Sequence, residues 1–487
     1  MNSTLIISVV LYLLGTLGLG VWAGTRIKNT SDFAVAGRSL PLIMVVTTTF
    51  ATWFGAETVM GIPAKFVQGG LNAVVEDPFG AGTCLILVGL FFAARLYKLN
   101  LLTIGDYYRE RYGKGIEVFC STAIILSYLG WVAAQITALG LVFSVLTNGA
   151  MSETAGMIVG TLAVLVYVVV GGFLAVALTD FIQMIVLVIG LSVIAYFAAG
   201  LAGGADQVFA LAAKADLWKF LPPPTFTDIA FFVGAAVTMM FGSIPQQDVY
   251  QRVMSAKDAP TARAGAVIGG ASYILFAFVP MFVVACAVVV MGDKALALAG
   301  GSDYQRLLPT FVMTQMPLVM QILFFGALLS AIKSTSSATL LAPSTSFVEN
   351  ILKNLRPGMD DRQQLFAMRA TIVVFAALVL AYAIAMKGKP IYELVSSAYQ
   401  VTLVGAFVPL VLGLYWKRAT TQGAIVSLAA GIGTWILFFP QVSHLGALFP
   451  GQLAGLIAAF AGMFIGSLAP QVLKNRHEPR ETATASV

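Results

Sequence analysis

The sequence predicts an all-α protein that crosses a bilayer many times, and three observations carry that prediction. Of its 487 residues, 59% are hydrophobic and 10% charged, with a mean hydropathy of +0.90; soluble domains carry about 25% charged residues. Apolar segments of spanning length, about 20 residues, recur thirteen times: near 4–24, 40–67, 72–97, 116–146, 153–171, 174–200, 228–245, 263–291, 316–345, 365–386, 391–415, 422–440 and 451–472. The cations then fall mostly on one side. With the N-terminus outside, twenty of the 28 Lys and Arg residues collect in loops on the cytoplasmic side and seven on the other, while Lys333 lies inside a span. Basic loops stay on the cytoplasmic side, so the N-terminus is expected outside and the C-terminus inside.

The first span follows Met-Asn-Ser-Thr, with no basic residue before it. No cleavable leader is expected, and the span is retained. Residues 1–39 comprise this helix and a cytoplasmic loop. The second span holds an unusual string, Ala-Thr-Trp-Phe-Gly-Ala-Glu-Thr-Val-Met-Gly-Ile-Pro at 51–63. A carboxylate (Glu57) flanked by Gly55, Gly61 and Pro63 builds a broken helix better than a lipid-facing one. Exposed carbonyls and a charge at membrane depth are tolerated only where they line a cavity or touch protein.

Spans two to six occupy 40–200. An extracellular loop, 201–227, leads to a second set of five over 228–415, which opens with Met-Met-Phe-Gly-Ser-Ile-Pro-Gln-Gln-Asp at 239–248, interrupted at Gly242 and Pro245. Two extra helices (416–473) and a polar cytoplasmic tail (474–487) follow. Two five-span sets, each opening on an interrupted helix, read as a repeat, and an odd number of spans per set makes the two halves inverted. Matching breaks of this kind mark a binding site at the bilayer midplane, so the chain is expected to carry a solute across.

Several other classes are excluded. Cys84, Cys120 and Cys286 fall in separate apolar segments and read as small buried hydrophobes. His444 and His477 are too few and too peripheral for a metal set. No Walker motif supports ATP-driven transport. The net charge of +6 reflects the basic loops and does not point to nucleic acid. No organic cofactor and no obligate protein partner is expected; the partners are the bilayer and a small molecule.

Four strings, in order along the chain, resemble the sodium:solute symporter family. They are Ser-Asp-Phe-Ala-Val-Ala-Gly-Arg-Ser-Leu (31–40), Thr-Ile-Gly-Asp-Tyr-Tyr-Arg-Glu-Arg-Tyr-Gly-Lys (103–114), Gly-Gly-Phe-Leu-Ala-Val-Ala-Leu-Thr-Asp-Phe-Ile-Gln (171–183) and Tyr-Gln-Arg-Val-Met-Ser-Ala-Lys (250–257). Ala-Thr-Trp and Gly-Leu-Phe-Phe-Ala resemble the choline-transporter-like branch best. The resemblance implies a leucine-transporter-type fold, a place in the cell inner (plasma) membrane, and ion-coupled uptake of a small organic solute by alternating access.

It also implies a sodium site made by the carbonyls of Ala51, Phe54 and Ala331 and the hydroxyls of Ser334 and Thr335. Sodium is a hard cation, and the carbonyls of a broken helix offer it dipoles without net charge. At 100° per residue, 331, 334 and 335 share one helix face. Asp180 matches an acid that helps some members bind a second sodium; Ser337 is kept there, but the next position is Ala338. Lys333 departs from the family's apolar residue. Its direction lies about 150° from the main site and about 40° from Ser337, which aims it toward the second-ion side, with Asp180 as the expected partner. Three readings stay open: a tethered cation replacing the second sodium, a lysine that deprotonates so that transport is proton-linked or sodium-independent, and a lysine snorkelling to the end of its span.

For the solute, the resemblance points to Trp53, Glu57, Thr58, Trp131, Gln135, Gln246 and Gln247. Glu57 and Thr58 match sugar-contacting positions, while Trp53 and Trp131 match aromatic positions that cage a quaternary amine. Other cage positions hold Ala81 and Gln246. An amine or amino-acid-like solute is favoured over a monocarboxylate or a sugar. A membrane solute sensor and a redox-coupled pump subunit are the rival classes.

Overall fold

The structure is a computed structural model that describes residues 3–301, 303–439 and 441–473; the expected tail at 474–487 lies outside the described residues. Among these residues there is no strand, only one isolated β-bridge between Leu40 and Ala256. Nine helices are long and apolar enough to span a membrane, or eleven if each of two bent pairs is one span. Thr421–Leu437 is a shorter apolar helix of 17 residues.

Both bends fall where the sequence places its interruptions. Leu42–Trp53 and Glu57–Gly69 meet at 58°, and Phe226–Gly242 and Gln247–Ser255 meet at 46°. At the first break Phe54 leaves the helical region (φ −86°, ψ 67°), and Glu57–Gly61 resumes as a π-turn. At the second break a Cβ on Gly242 would lie 2.4 Å from the Tyr399 carbonyl, so the two backbones approach as only glycine allows.

The helix Leu318–Phe347 packs against Glu153–Leu201, Lys114–Leu146 and the first half of the first broken span. The N-terminal helix Ser3–Gly24 rests on Glu153–Leu201 and on Leu318–Phe347. Its outer face, including Leu11 and Leu14, is exposed, as a lipid-facing helix requires. At one end of the molecule a buried network closes the chain. Asn350 donates to Asp106 and Glu117 at 3.1 Å each, and Arg109 lies 3.0 Å from Asp106.

Glu153–Leu201 runs for 49 residues, about 74 Å at 1.5 Å per residue, more than twice the roughly 30 Å hydrocarbon core. It is broken at Gly172, in the left-handed half of backbone space (φ 49°, ψ −156°). A Cβ there would lie 2.6 Å from the Phe33 ring and 2.8 Å from the Phe33 carbonyl. Gly172→Ala is therefore expected to lower the melting temperature of the detergent-solubilised protein by several degrees, the effect of losing more than about 1 kcal/mol. Gly326→Ala, where a Cβ meets nothing within 4 Å, should leave it unchanged or raise it. Melting curves of the two variants check both.

Candidate functional site

The site is built on an aromatic surface between the breaks. Trp53 closes the first half of the first broken span, Trp131 lies on Lys114–Leu146, and Tyr399 on Ile391–Thr402. Trp53 and Trp131 meet edge to face at 5.6 Å, Trp131 and Tyr399 are tilted at 5.5 Å, and Trp53 and Tyr399 stack at 6.0 Å. Tyr128 stacks on Trp131 at 6.1 Å. All four are buried, and their π-faces are electron-rich.

Glu57 stands at the edge of this surface. Its carboxylate accepts from Trp131 Nε1 at 2.9 Å and from Gln135 Nε2 at 2.6 Å. Gln135 Oε1 in turn accepts from the Ala56 N–H at 3.0 Å, a donor that the break releases. Glu57 is 2% exposed, and among the described residues no ion pair reaches it. A buried carboxylate held only by neutral donors is an incomplete arrangement. Among the described residues, Trp53 Nε1, the Tyr399 hydroxyl and Gln246 Oε1 are buried without a hydrogen-bond partner. These atoms lie on the elements that frame the breaks.

Other expected solute residues are placed differently. The Thr58 hydroxyl donates to the Trp53 carbonyl at 3.2 Å and meets the Tyr273 hydroxyl at 3.0 Å, and Tyr273 donates to the buried Asp77. Gln246 donates to Ser127 Oγ at 2.9 Å. Gln247 is not brought to the aromatic surface. Its Oε1 accepts from the Ile104 N–H at 2.9 Å, which satisfies a donor at the start of the helix Ile104–Tyr112.

Of the oxygens expected to hold sodium, Thr335 Oγ1 shares the surroundings of Gly55 with the Glu57 carboxylate. Ala51 and Phe54 sit at the break, where the helical hydrogen-bond ladder is interrupted. Thr335 Oγ1 donates to the Thr52 carbonyl at 2.7 Å, and Ser334 Oγ to Asp180 at 2.5 Å. Ser337 donates to the Ser334 carbonyl at 2.8 Å. Asp180 also accepts from Thr48 Oγ1 at 2.6 Å. A Cβ on Gly55 would lie 2.8 Å from Thr335 Oγ1, 2.5 Å from Glu57 Oε2 and 3.0 Å from Gln135 Oε1. Carbonyls, hydroxyls and one buried carboxylate suit an alkali cation. Among the described residues no cluster of His, Cys, Asp and Glu suits a transition metal.

Lys333 corrects the expected charge pair. Its Nζ donates to Thr16 Oγ1 of the N-terminal helix at 2.5 Å and lies 4.3 Å from the centre of the Tyr167 ring. Among the described residues it makes no ion pair with Asp180. The helix wheel gives a direction but not the neighbour, and the neighbour here is Ser3–Gly24. It is buried at 3% exposure, so snorkelling out of the protein is also set aside.

Sequence reasoning missed Arg252. Counted among the cytoplasmic cations, it is 2% exposed. Its guanidinium donates to the Thr48 carbonyl at 3.2 Å, to the Asp248 carbonyl at 2.6 Å and to Thr52 Oγ1. Its charge acts on that of Asp180, though among the described residues its ion pair is with Asp248, at 4.0 Å. A usable signal was the Asp248–Arg252 spacing, i and i+4, just past the second break. Tyr399 and Tyr273 were missed because only the fold brings them here.

Comparison with known proteins agrees with this geometry. The sequence pattern of the sodium:solute symporter family matches residues 33–431. The human high affinity choline transporter 1 is 26% identical over 440 residues, covering 88% of this chain and 75% of that protein. The Escherichia coli sodium/pantothenate symporter is 26% identical over 488 residues, covering 97% and 98%. A solved Na+-coupled sialic acid symporter superposes with a TM-score of 0.83 over 95% of this chain and 97% of that one, at 21% identity. Mhp1, a nucleobase-cation-symport-1 family transporter, superposes at 0.55 over 90% and 94%, at 16% identity. At those identities the likeness fixes the leucine-transporter-type fold and not the cargo. A multi-pass helical chain with two facing breaks and this match along most of its length belongs to the sodium:solute symporter family.

Proposed function

We propose that this membrane transporter carries a small organic cation or zwitterion, an amine or an amino-acid-like molecule, together with sodium. The observation that carries the reading is Glu57, buried beside Trp53, Trp131 and Tyr399 with no cation paired to it among the described residues. A positively charged nitrogen would complete that carboxylate and rest on the ring faces, each contact adding up to about 2 kcal/mol when desolvated. The carbonyls of Ala51, Phe54 and Ala331 and the hydroxyls of Ser334 and Thr335 would hold sodium, with Asp180 offsetting its charge. Because Gly55 touches both groups, sodium and solute order the same break. Each then raises the other's affinity by the same factor.

The two broken spans open two sets of five, 40–200 and 228–415, which support alternating access by one half rocking against the other. Dividing Glu153–Leu201 at Gly172 and admitting Thr421–Leu437 brings the spans to thirteen. That count, with the N-terminus outside and the C-terminus inside, fits a chain of the plasma membrane. Lys333, tied to Thr16, favours neither proton linkage nor a carboxylate cargo, and those readings become outcomes of the tests.

Uptake into proteoliposomes is expected to need a sodium gradient, with Thr335→Ala raising the half-saturating sodium concentration about tenfold, a loss of about 1.4 kcal/mol. Full uptake with no sodium on either side would remove the sodium site, and no uptake by the purified chain would favour a sensor. A thermal-shift screen of amines, amino acids, carboxylates and sugars, with and without sodium, identifies the cargo, since a ligand of the folded state raises the midpoint. In that screen Glu57→Gln should abolish the shift caused by cationic amines; an unchanged shift would put the amine elsewhere. Lys333→Met should leave the melting temperature unchanged or raise it while leaving the sodium dependence of uptake as it was, and uptake that becomes independent of sodium in this variant would make Lys333 part of the coupling.

A further inference from the structure

Away from the central site, a groove of about 870 Å³ opens on the side of the molecule between Asp361–Ala385, Lys114–Leu146 and the end of the helix that carries Ser334 and Thr335. Its floor is apolar, with Leu126, Leu129, Phe347 and Val374 among the lining side chains. From Arg362 to Leu378 it follows 17 residues of one helix, a rise of about 24 Å. One leaflet's share of the hydrocarbon core is about 15 Å, so the groove is long enough to seat a whole acyl chain.

One end of the groove is cationic. Arg356 and Arg362 line it there, both exposed, and among the described residues neither makes an ion pair. Neighbouring charges are already engaged. Lys353 pairs with Glu349 at 2.6 Å, and Arg369 stacks over Phe33. Asp360 caps the Gln363 N–H at 2.7 Å, and Asp361 accepts from the Thr30 N–H at 3.1 Å. Two unpaired guanidiniums over an apolar trough present forked donors to a phosphate and a dry surface to a chain. The same end lies on the cation-rich face, where anionic lipids concentrate and basic pockets between helices hold their headgroups.

The geometry points to a binding site for an anionic glycerophospholipid, its phosphate between Arg356 and Arg362 and an acyl chain along the groove. The wall that such a chain touches, Pro343 and Phe347, lies about 12 and about 18 Å along the same helix from Thr335, so the lipid braces the helix that carries the ion-site hydroxyls.

The test uses the full chain, delipidated in detergent and mixed with phosphatidylglycerol or phosphatidylcholine in mixed micelles. Phosphatidylglycerol is expected to raise the melting temperature by several degrees more than phosphatidylcholine, and native mass spectrometry should retain it on the protein. In the double variant Arg356→Gln/Arg362→Gln that difference should vanish, with the melting temperature in phosphatidylcholine unchanged, which shows that the variant folds. Equal shifts from the two lipids, or a preference that survives in the double variant, would overturn the proposal. So would a particle of twice the mass that becomes single when Ala370→Trp fills the groove, since the occupant would then be a second copy of this chain. Should the double variant fail to fold, Arg362→Lys and Arg356→Lys, which keep charge but lose the fork, are expected to weaken retention of phosphatidylglycerol, and undiminished retention in both would overturn it as well.

Discussion

Everything at the centre of this transporter depends on one interruption, the three residues Phe54, Gly55 and Ala56 between two helical halves. A continuous helix would place its carbonyls and amides in an internal ladder. The interruption hands the Ala56 amide to Gln135, and Gln135 spends its other end on Glu57. One side chain of a neighbouring span thus satisfies the backbone and aims the carboxylate. Gly55 is what lets Thr335 approach from the other side. Were that residue to gain a Cβ, the Thr335 hydroxyl, the Glu57 carboxylate and the Gln135 amide would all have to move.

Charge is arranged around that interruption with care for desolvation. Burying an ion is costly unless partners replace the lost water. Arg252 has carbonyls, a hydroxyl and two acids around it. Asp180 has hydroxyls from two helices. Glu57 has only neutral donors, and it is the group that the proposed cargo completes.

Composition and periodicity made the helical membrane architecture legible, because lipid leaves a chain few choices. The glycines and prolines of 51–63 and 239–248 marked both bends, since those residues act on the backbone that carries them. Trp53, Glu57, Trp131 and Gln135 were also legible as a group and do meet. What could not be read was which helix stands next to which. Lys333 was expected to pair with Asp180 but meets Thr16, because the N-terminal helix has no sequence signal for where it docks. Arg252 was hidden by its type: an arginine near a span end reads as a loop cation, and only packing shows it inside. Gln247 was misdirected for a related reason, as its acceptor serves a helix start more than 140 residues earlier.

The N-terminal helix stands outside the two five-span sets, yet Lys333 grips Thr16 on it and Tyr12 grips Ser330. A rod whose far side is wetted by acyl chains is thereby bolted to the helix bearing Ser334 and Thr335. If that helix tilts during turnover, the rod must be dragged through the surrounding fluid and re-matched to its thickness, at a cost of fractions of a kcal/mol per Å. Bilayer viscosity and thickness would then act as brakes on the cycle, through a member that touches neither ion nor solute.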